Sequence, residues 1–121
     1  MKTIKENVIL LIILFTVLTS CHKDDDSSTC GCESNTIGVS TNQVGLLKRD
    51  SSNKLFIQIG NPPGATAYYY LCEESLIIFD VPANGVNVVF SGSNKKNCKQ
   101  DEGSPSNYSY YNIKLTQIQI Q

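Results

Sequence analysis

The residues with chemistry to offer are few, and their spacing narrows what they can do. Setting Cys21 aside, the chain holds Cys30, Cys32, Cys72 and Cys98. A zinc site of four cysteines usually presents paired Cys-x-x-Cys knuckles, and a redox dithiol wants Cys-x-x-Cys opening a helix. Neither spacing occurs. Four cysteines in a small domain outside the cytoplasm read instead as two disulfides. Only Gly31 separates Cys30 from Cys32, so a bridge between them would be strained. Each therefore reaches across the domain, one to Cys72 and one to Cys98, with the pairing open. Bridges closing loops of about 40 to 70 residues are each worth roughly 3–4 kcal/mol on the chain-entropy model.

Catalytic groups are scarcer. His22 is the single histidine and stands before the domain, so no Ser-His or Cys-His pair forms within it. Carboxylate pairs such as Glu73-Glu74 could in principle serve a glycosidase. Adjacent residues on a strand face opposite ways, however, and a barrel of this size is expected to offer little cleft. The sequence therefore points away from an enzyme and from any metal or cofactor.

These residues sit in a chain of 121, enough for one ordinary domain, with 40% hydrophobic and 17% charged residues. From Cys30 onward seven Lys and Arg balance seven Asp and Glu. A neutral domain lacks the basic excess that neutralising phosphates requires, so no nucleic-acid partner is expected.

The N-terminus carries the sharpest signal. Lys2 and Lys5 precede an apolar run from Val8 to Leu18. As a helix those residues span about 16 Å, half a bilayer core, which suits a signal-peptide core rather than a membrane span. The run ends in Leu18-Thr19-Ser20-Cys21, which resembles the bacterial lipobox. The resemblance implies cleavage before Cys21 and acylation of that residue, on sulfur by a palmitate-type chain and then on its new amino group. Two or more acyl chains anchor stably where one does not. Lys23 with Asp24, Asp25 and Asp26 resembles the export signal of Bacteroidota-type surface lipoproteins, which implies an outer-membrane lipoprotein facing the cell exterior. The same residues also read as a solvated tether. The expected organisation is 1–20 signal peptide, 21–29 lipidated cysteine and tether, and 30–121 a single β-domain.

Within that domain apolar residues alternate or run in short blocks between Gly, Pro, Asn and Ser clusters, as in an all-β fold. Strands are expected at Thr36–Ser40, Val44–Arg49, Leu55–Ile59 and Thr66–Cys72. Leu76-Ile77-Ile78-Phe79 reads as a strand covered on both faces, and Val86–Phe90 as the best-patterned strand. Ser91-Gly92-Ser93-Asn94 is expected to leave the sheet, and Lys95, Lys96 and Lys99 to lie in a solvated loop. In the last strand, Tyr111, Ile113 and Leu115 are apolar at odd positions but Ile118 and Ile120 at even ones. That change of phase predicts a β-bulge around Thr116-Gln117.

Tyr68 and Tyr70 face one way and Tyr69 the other, making the first two candidate contacts for a sugar or peptide, with ordinary half-buried strand tyrosines as the plainer reading. Asn61-Pro62-Pro63-Gly64-Ala65-Thr66 is a candidate proteinase-inhibitor loop. Val81 to Gly92 and Ile113-Lys114-Leu115-Thr116-Gln117-Ile118 resemble small Bacteroidota-type lipoprotein domains. That resemblance implies a small disulfide-stapled, OB-like barrel of five to seven strands, with a small β-sandwich as the alternative. The functional expectation is a non-catalytic binding or accessory module with an unknown protein or glycan partner.

Overall fold

The computed structural model describes residues 29–101 and 106–121. Cys21, His22, Lys23 and Asp24, Asp25 and Asp26 lie outside the described residues. The chain forms β1 (Thr36–Arg49), β2 (Leu55–Ile59), β3 (Thr66–Leu71), β4 (Val86–Lys96) and β5 (Tyr108–Ile120), with a short 3-10 turn at Cys98–Asp101. The strands close into a barrel in the order β1-β2-β3-β5-β4. All neighbours are antiparallel except β3 and β5, which run parallel. This is a small all-β, OB-like barrel held by two disulfides.

Alternation decides what fills the interior. Leu55 and Ile57 of β2, Val88 and Phe90 of β4, and Ile113 and Leu115 of β5 point inward together with Leu47 of β1. Phe90, Leu47, Ile57, Val88 and Ile113 are fully buried. Full burial of such side chains stabilises by about 1.5–3 kcal/mol each before entropy is counted.

Closing five strands requires sharp curvature, and β1 and β5 both carry a bulge at one level of β4. Ser40 faces Gly92 and Gln43 faces Phe90, so Thr41 and Asn42 of β1 oppose Ser91 alone. Across the other side of β4, Ser91 faces Gln117 and Gly92 faces Leu115, which leaves Thr116 as the extra residue. The bulge expected around Thr116-Gln117 is therefore present. Ser91 links the two bulges: its Oγ accepts from the Asn42 backbone N–H at 2.9 Å, and Gln117 Nε2 donates to Asn42 Oδ1 at 3.2 Å. Asn42 takes a left-handed φ of 48° that its side chain tolerates.

Three expectations need correction. Thr36–Ser40 and Val44–Arg49 are halves of one strand, because the polar Thr41-Asn42-Gln43 between them is a bulge rather than a turn. Ser91-Gly92-Ser93-Asn94 stays in the sheet, and β4 runs on through Lys95 and Lys96. Small polar residues are used there because β5 approaches closely: a Cβ at Gly92 would lie 2.5 Å from Lys114 O. Leu76–Phe79 forms no strand. In the loop from β3 to β4, Ile77, Phe79 and Val81 pack on the core, while Ile78 is 89% exposed. Its apolar run covers part of the core from outside the sheet.

The disulfides pair Cys30 with Cys98 and Cys32 with Cys72. Cys72 follows β3 and Cys98 follows β4, and β5 lies between those strands. The Cys30-Gly31-Cys32 segment therefore clamps β3 to β4 across β5. Gly31 N–H donates to Lys96 O at 2.6 Å and Cys72 N–H to Ile113 O at 2.9 Å, tying the clamp to the sheet. Asn112 of β5 donates to Cys32 Sγ at 3.4 Å. With sequence separations of 40 and 68, each bridge is worth about 4 kcal/mol on the entropic model.

Replacing Cys32 and Cys72 together by alanine should lower unfolding free energy by about 2–5 kcal/mol. Equilibrium guanidinium titration reads the loss, and amide exchange should rise first along the β3–β5 seam. Gly92→Ala should cost about 1–3 kcal/mol by overpacking against β5. An unchanged midpoint for Gly92→Ala would remove the close-approach explanation.

Candidate functional site

The outer face of β2, β3 and β5 carries a row of aromatic rings. Phe56 of β2 stands opposite Tyr70 of β3, while Tyr68 of β3 stands opposite Tyr110 of β5. Ring centroids are 5.4 Å apart for Phe56 and Tyr70 and 5.3 Å for Tyr68 and Tyr110, the second pair stacked within 15°. Tyr108 meets Tyr68 edge-on at 5.9 Å, and Phe56 meets Tyr68 at 6.0 Å. Lys99 Nζ lies 5.0 Å from the Tyr110 ring centre, a cation held against an aromatic face.

The geometry limits what the row can offer. Rings stacked at close to the strand spacing of about 4.8 Å stand up from the sheet with their faces turned to one another. Tyr68 and Tyr110 therefore present edges and phenol hydroxyls outward rather than a flat platform. A ligand meets hydrogen-bonding tips backed by aromatic bodies.

A cleft of about 570 Å³ adjoins the row and shares Tyr70 and Lys99 with it. Its polar walls come from the β1–β2 turn (Asp50, Ser52, Lys54), the segment after β3 (Glu73, Glu74) and β5 (Asn112). Asp50 is largely a structural group, since its Oδ1 accepts from the backbone N–H of Ser52 at 2.8 Å and of Lys54 at 2.9 Å. Glu74 lies 3.6 Å from the Arg49 guanidinium. Glu73 and Glu74 are off the strand and line the same cleft, which corrects the expectation that they face opposite ways, and the cleft's volume corrects the expectation of little cleft. Three carboxylates against Lys54 and Lys99 make these walls unsuited to a polyanion.

Tyr68 and Tyr70 share the outer face as alternation requires, and Tyr69 points inward against Phe90 and Tyr111 at 5.6 and 5.0 Å. Phe56, Tyr108, Tyr110 and Lys99 escape the sequence reading. Tyr108-Ser109-Tyr110 repeats the Tyr68-Tyr69-Tyr70 spacing, but only the parallel pairing of β3 and β5 places the two sets side by side. Cys30, Cys32, Cys72 and Cys98 are all in disulfides, so none is a thiolate that could bind zinc.

The segment 61–66, the candidate inhibitor loop, forms a tight turn. Gly64 N–H donates to Asn61 O at 2.9 Å, Thr66 Oγ1 donates to Gly64 O at 2.8 Å, and the Asn107 side-chain amide donates to Pro63 O. The Pro62–Pro63 peptide is cis.

Burial raises the Tyr69 phenol above its ordinary value of 10.0, helped by Tyr111 and opposed by a hydrogen bond with Ser40. Tyr68 and Tyr70 are raised too, again chiefly by desolvation and then by neighbouring phenols and, for Tyr70, Asp50. A raised folded value means the native state keeps its proton longer than the unfolded chain. That stabilisation is complete below about pH 10 and is lost as pH climbs from there through the folded values. Denaturant midpoints should therefore fall above about pH 10, and Tyr69→Phe should flatten that fall. Tyrosinate absorbance that rises identically in native and denaturant-unfolded protein would contradict this.

No protein-family model matches the chain and no curated protein is similar to it in sequence, so the reading of the site rests on its geometry.

Proposed function

We propose that this protein is a non-catalytic binding module, lipid-anchored through Cys21 in an outer membrane and facing the cell exterior, whose ligand is a neutral glycan. The observation that carries the ligand class is the aromatic row beside the mixed-charge cleft. Tyr68, Tyr70, Tyr108 and Tyr110 supply apolar bodies with phenol tips, backed by buried Phe56, and the cleft adds carboxylates, amines and the Asn112 amide. Hydroxyl-rich ligands pair with such alternating donors and acceptors, whereas nucleic acid would meet the carboxylates of Asp50, Glu73 and Glu74. OB-type barrels bind oligosaccharides and oligonucleotides on the strand 2–3 face between the loops that follow strands 1 and 4, an analogy of fold that agrees with this placement.

The non-catalytic reading rests on commitment of the groups present. The domain has no histidine, Asp50 caps its own turn, and Glu74 faces Arg49. The anchor reading rests on the Leu18-Thr19-Ser20-Cys21 pattern, and the outward address on Lys23 and Asp24 to Asp26.

An array of neutral and acidic glycans probed with the mature protein should show enrichment among the neutral ones. Tyr70→Ala should weaken that binding by about tenfold or more, a loss of about 1.4 kcal/mol, with the thermal midpoint showing that the fold survives. Binding that is unaffected by both Tyr68→Ala and Tyr70→Ala would remove the site. Intact-mass measurement on protein from its own cells reads acylation of Cys21, and protease shaving of intact cells reads display: protection there sinks the outward orientation.

A further inference from the structure

The domain's charge is neutral in sum but sorted by strand. None of the residues of β1, β4 and β5 is acidic, although these three strands carry Lys48, Arg49, Lys95, Lys96 and Lys114. Among the described residues every carboxylate side chain from Cys30 onward lies outside the strands, with Asp50, Glu73 and Glu74 gathered at the cleft.

The seam between β1 and β4 also exposes apolar side chains on its outer side. Ile37 is 58% exposed, Val39 71% and Val44 50%. Val44 lies opposite half-buried Val89, and Val39 lies in one row with Ser93 and Lys114. Polar residues would be expected on the outward positions of a strand whose other face is core. Lys114 flanks the apolar line, and Lys95, which gives one hydrogen bond to Ser34 O at 2.9 Å, extends the basic margin. Apolar side chains set among lysines, with no carboxylate on their strands, match a phosphate-bearing lipid surface.

The covalent path says which surface is near. Cys30 lies nine positions after Cys21, a reach of at most about 32 Å. Gly31 is hydrogen-bonded to Lys96 at the end of β4, and Thr36 pairs with the adjacent Lys95, so the chain enters the domain at the end of the seam that carries Ile37. In a cyclic order of five strands the β1–β4 seam lies across the barrel from β3. We propose that the Ile37–Val39–Val44 seam rests on the anionic headgroup surface of the bilayer into which Cys21 is inserted, which turns Tyr68 and Tyr70 of β3 away from the membrane. The proposal rests on the lipid-anchor reading above.

The test uses the mature chain from Cys21 with both disulfides formed and a lipid coupled chemically to the Cys21 thiol, so that it does not depend on acylation in cells. The protein is inserted into nanodiscs of phosphatidylglycerol and phosphatidylethanolamine doped with a lipid bearing a paramagnetic headgroup. Amide relaxation enhancement should be severalfold larger at Val39, Val44 and Lys114 than at Tyr68 and Tyr70. Ile37→Ser with Val39→Ser, both at exposed positions, should level that difference while leaving the thermal midpoint unchanged. Equal enhancement around the barrel, a maximum on the aromatic face, or a difference that survives the double variant would overturn the proposal. So would dimerisation through the same residues without a gradient, which would assign the seam to a second copy. An unmodified Cys21 in native protein would instead sink the anchor reading, and the nanodisc gradient reports on the seam independently of it.

Discussion

The pairing of β5 between β3 and β4 is the contact on which the barrel depends. Thr66 and Tyr108 are partners across that parallel seam and lie far apart in the chain, so the loop-closure entropy is spent before the pairing returns any stability. The disulfides act on this difficulty directly. Cys30 and Cys32, two positions apart, hold the ends of β4 and β3 at a spacing that one strand fills. Asn112 and the carbonyl of Ile113 then bind to the clamp itself. A domain of this size buries a modest fraction of its surface, and this clamp fixes the strand order that the small core alone specifies weakly.

The same seam creates the candidate site. Tyr68 and Tyr110 are stacked because β3 and β5 are parallel neighbours in register, and the cleft exists because the β1–β2 turn and the segment after β3 flank the same end of the barrel. This is why the site was half legible. Alternation within one strand separates Tyr68 and Tyr70 from Tyr69, since that is a local property of extended backbone. The partnership with Tyr108 and Tyr110 is a property of topology, and nothing local in either segment states it.

A similar division runs through the fold. The turns at Asp50–Lys54 and Asn61–Gly64 rest on local chemistry, because Asx hydrogen bonds and prolines act over a few residues. The phase change in β5 was readable because a period of two cannot shift without an extra residue. The split expected between Ser40 and Val44 and the exit expected at Ser91-Gly92-Ser93-Asn94 fail for one shared reason: polar and glycine residues mark bulges as well as chain reversals. Here they lie side by side, joined through the Ser91 hydroxyl, at the level where the barrel curves. Leu76–Phe79 failed differently, because a short apolar run says that it is covered and not whether a sheet ladder does the covering.

Net charge hides the remaining organisation. Seven positive and seven negative residues sum to nothing, yet none of the five strands holds a carboxylate, and Asp50, Glu73 and Glu74 border the cleft from segments outside the strands. Short-range electrostatics at physiological ionic strength, where screening acts over about 8 Å, responds to that local sorting rather than to the sum. A barrel of this kind has two opposed outer faces whose chemistries need not resemble each other. One is aromatic and bordered by carboxylates, and the other is aliphatic and bordered by lysines. The described chain enters beside the second, so the lipid anchor proposed at Cys21 would bring the aliphatic face, rather than the aromatic one, to a bilayer.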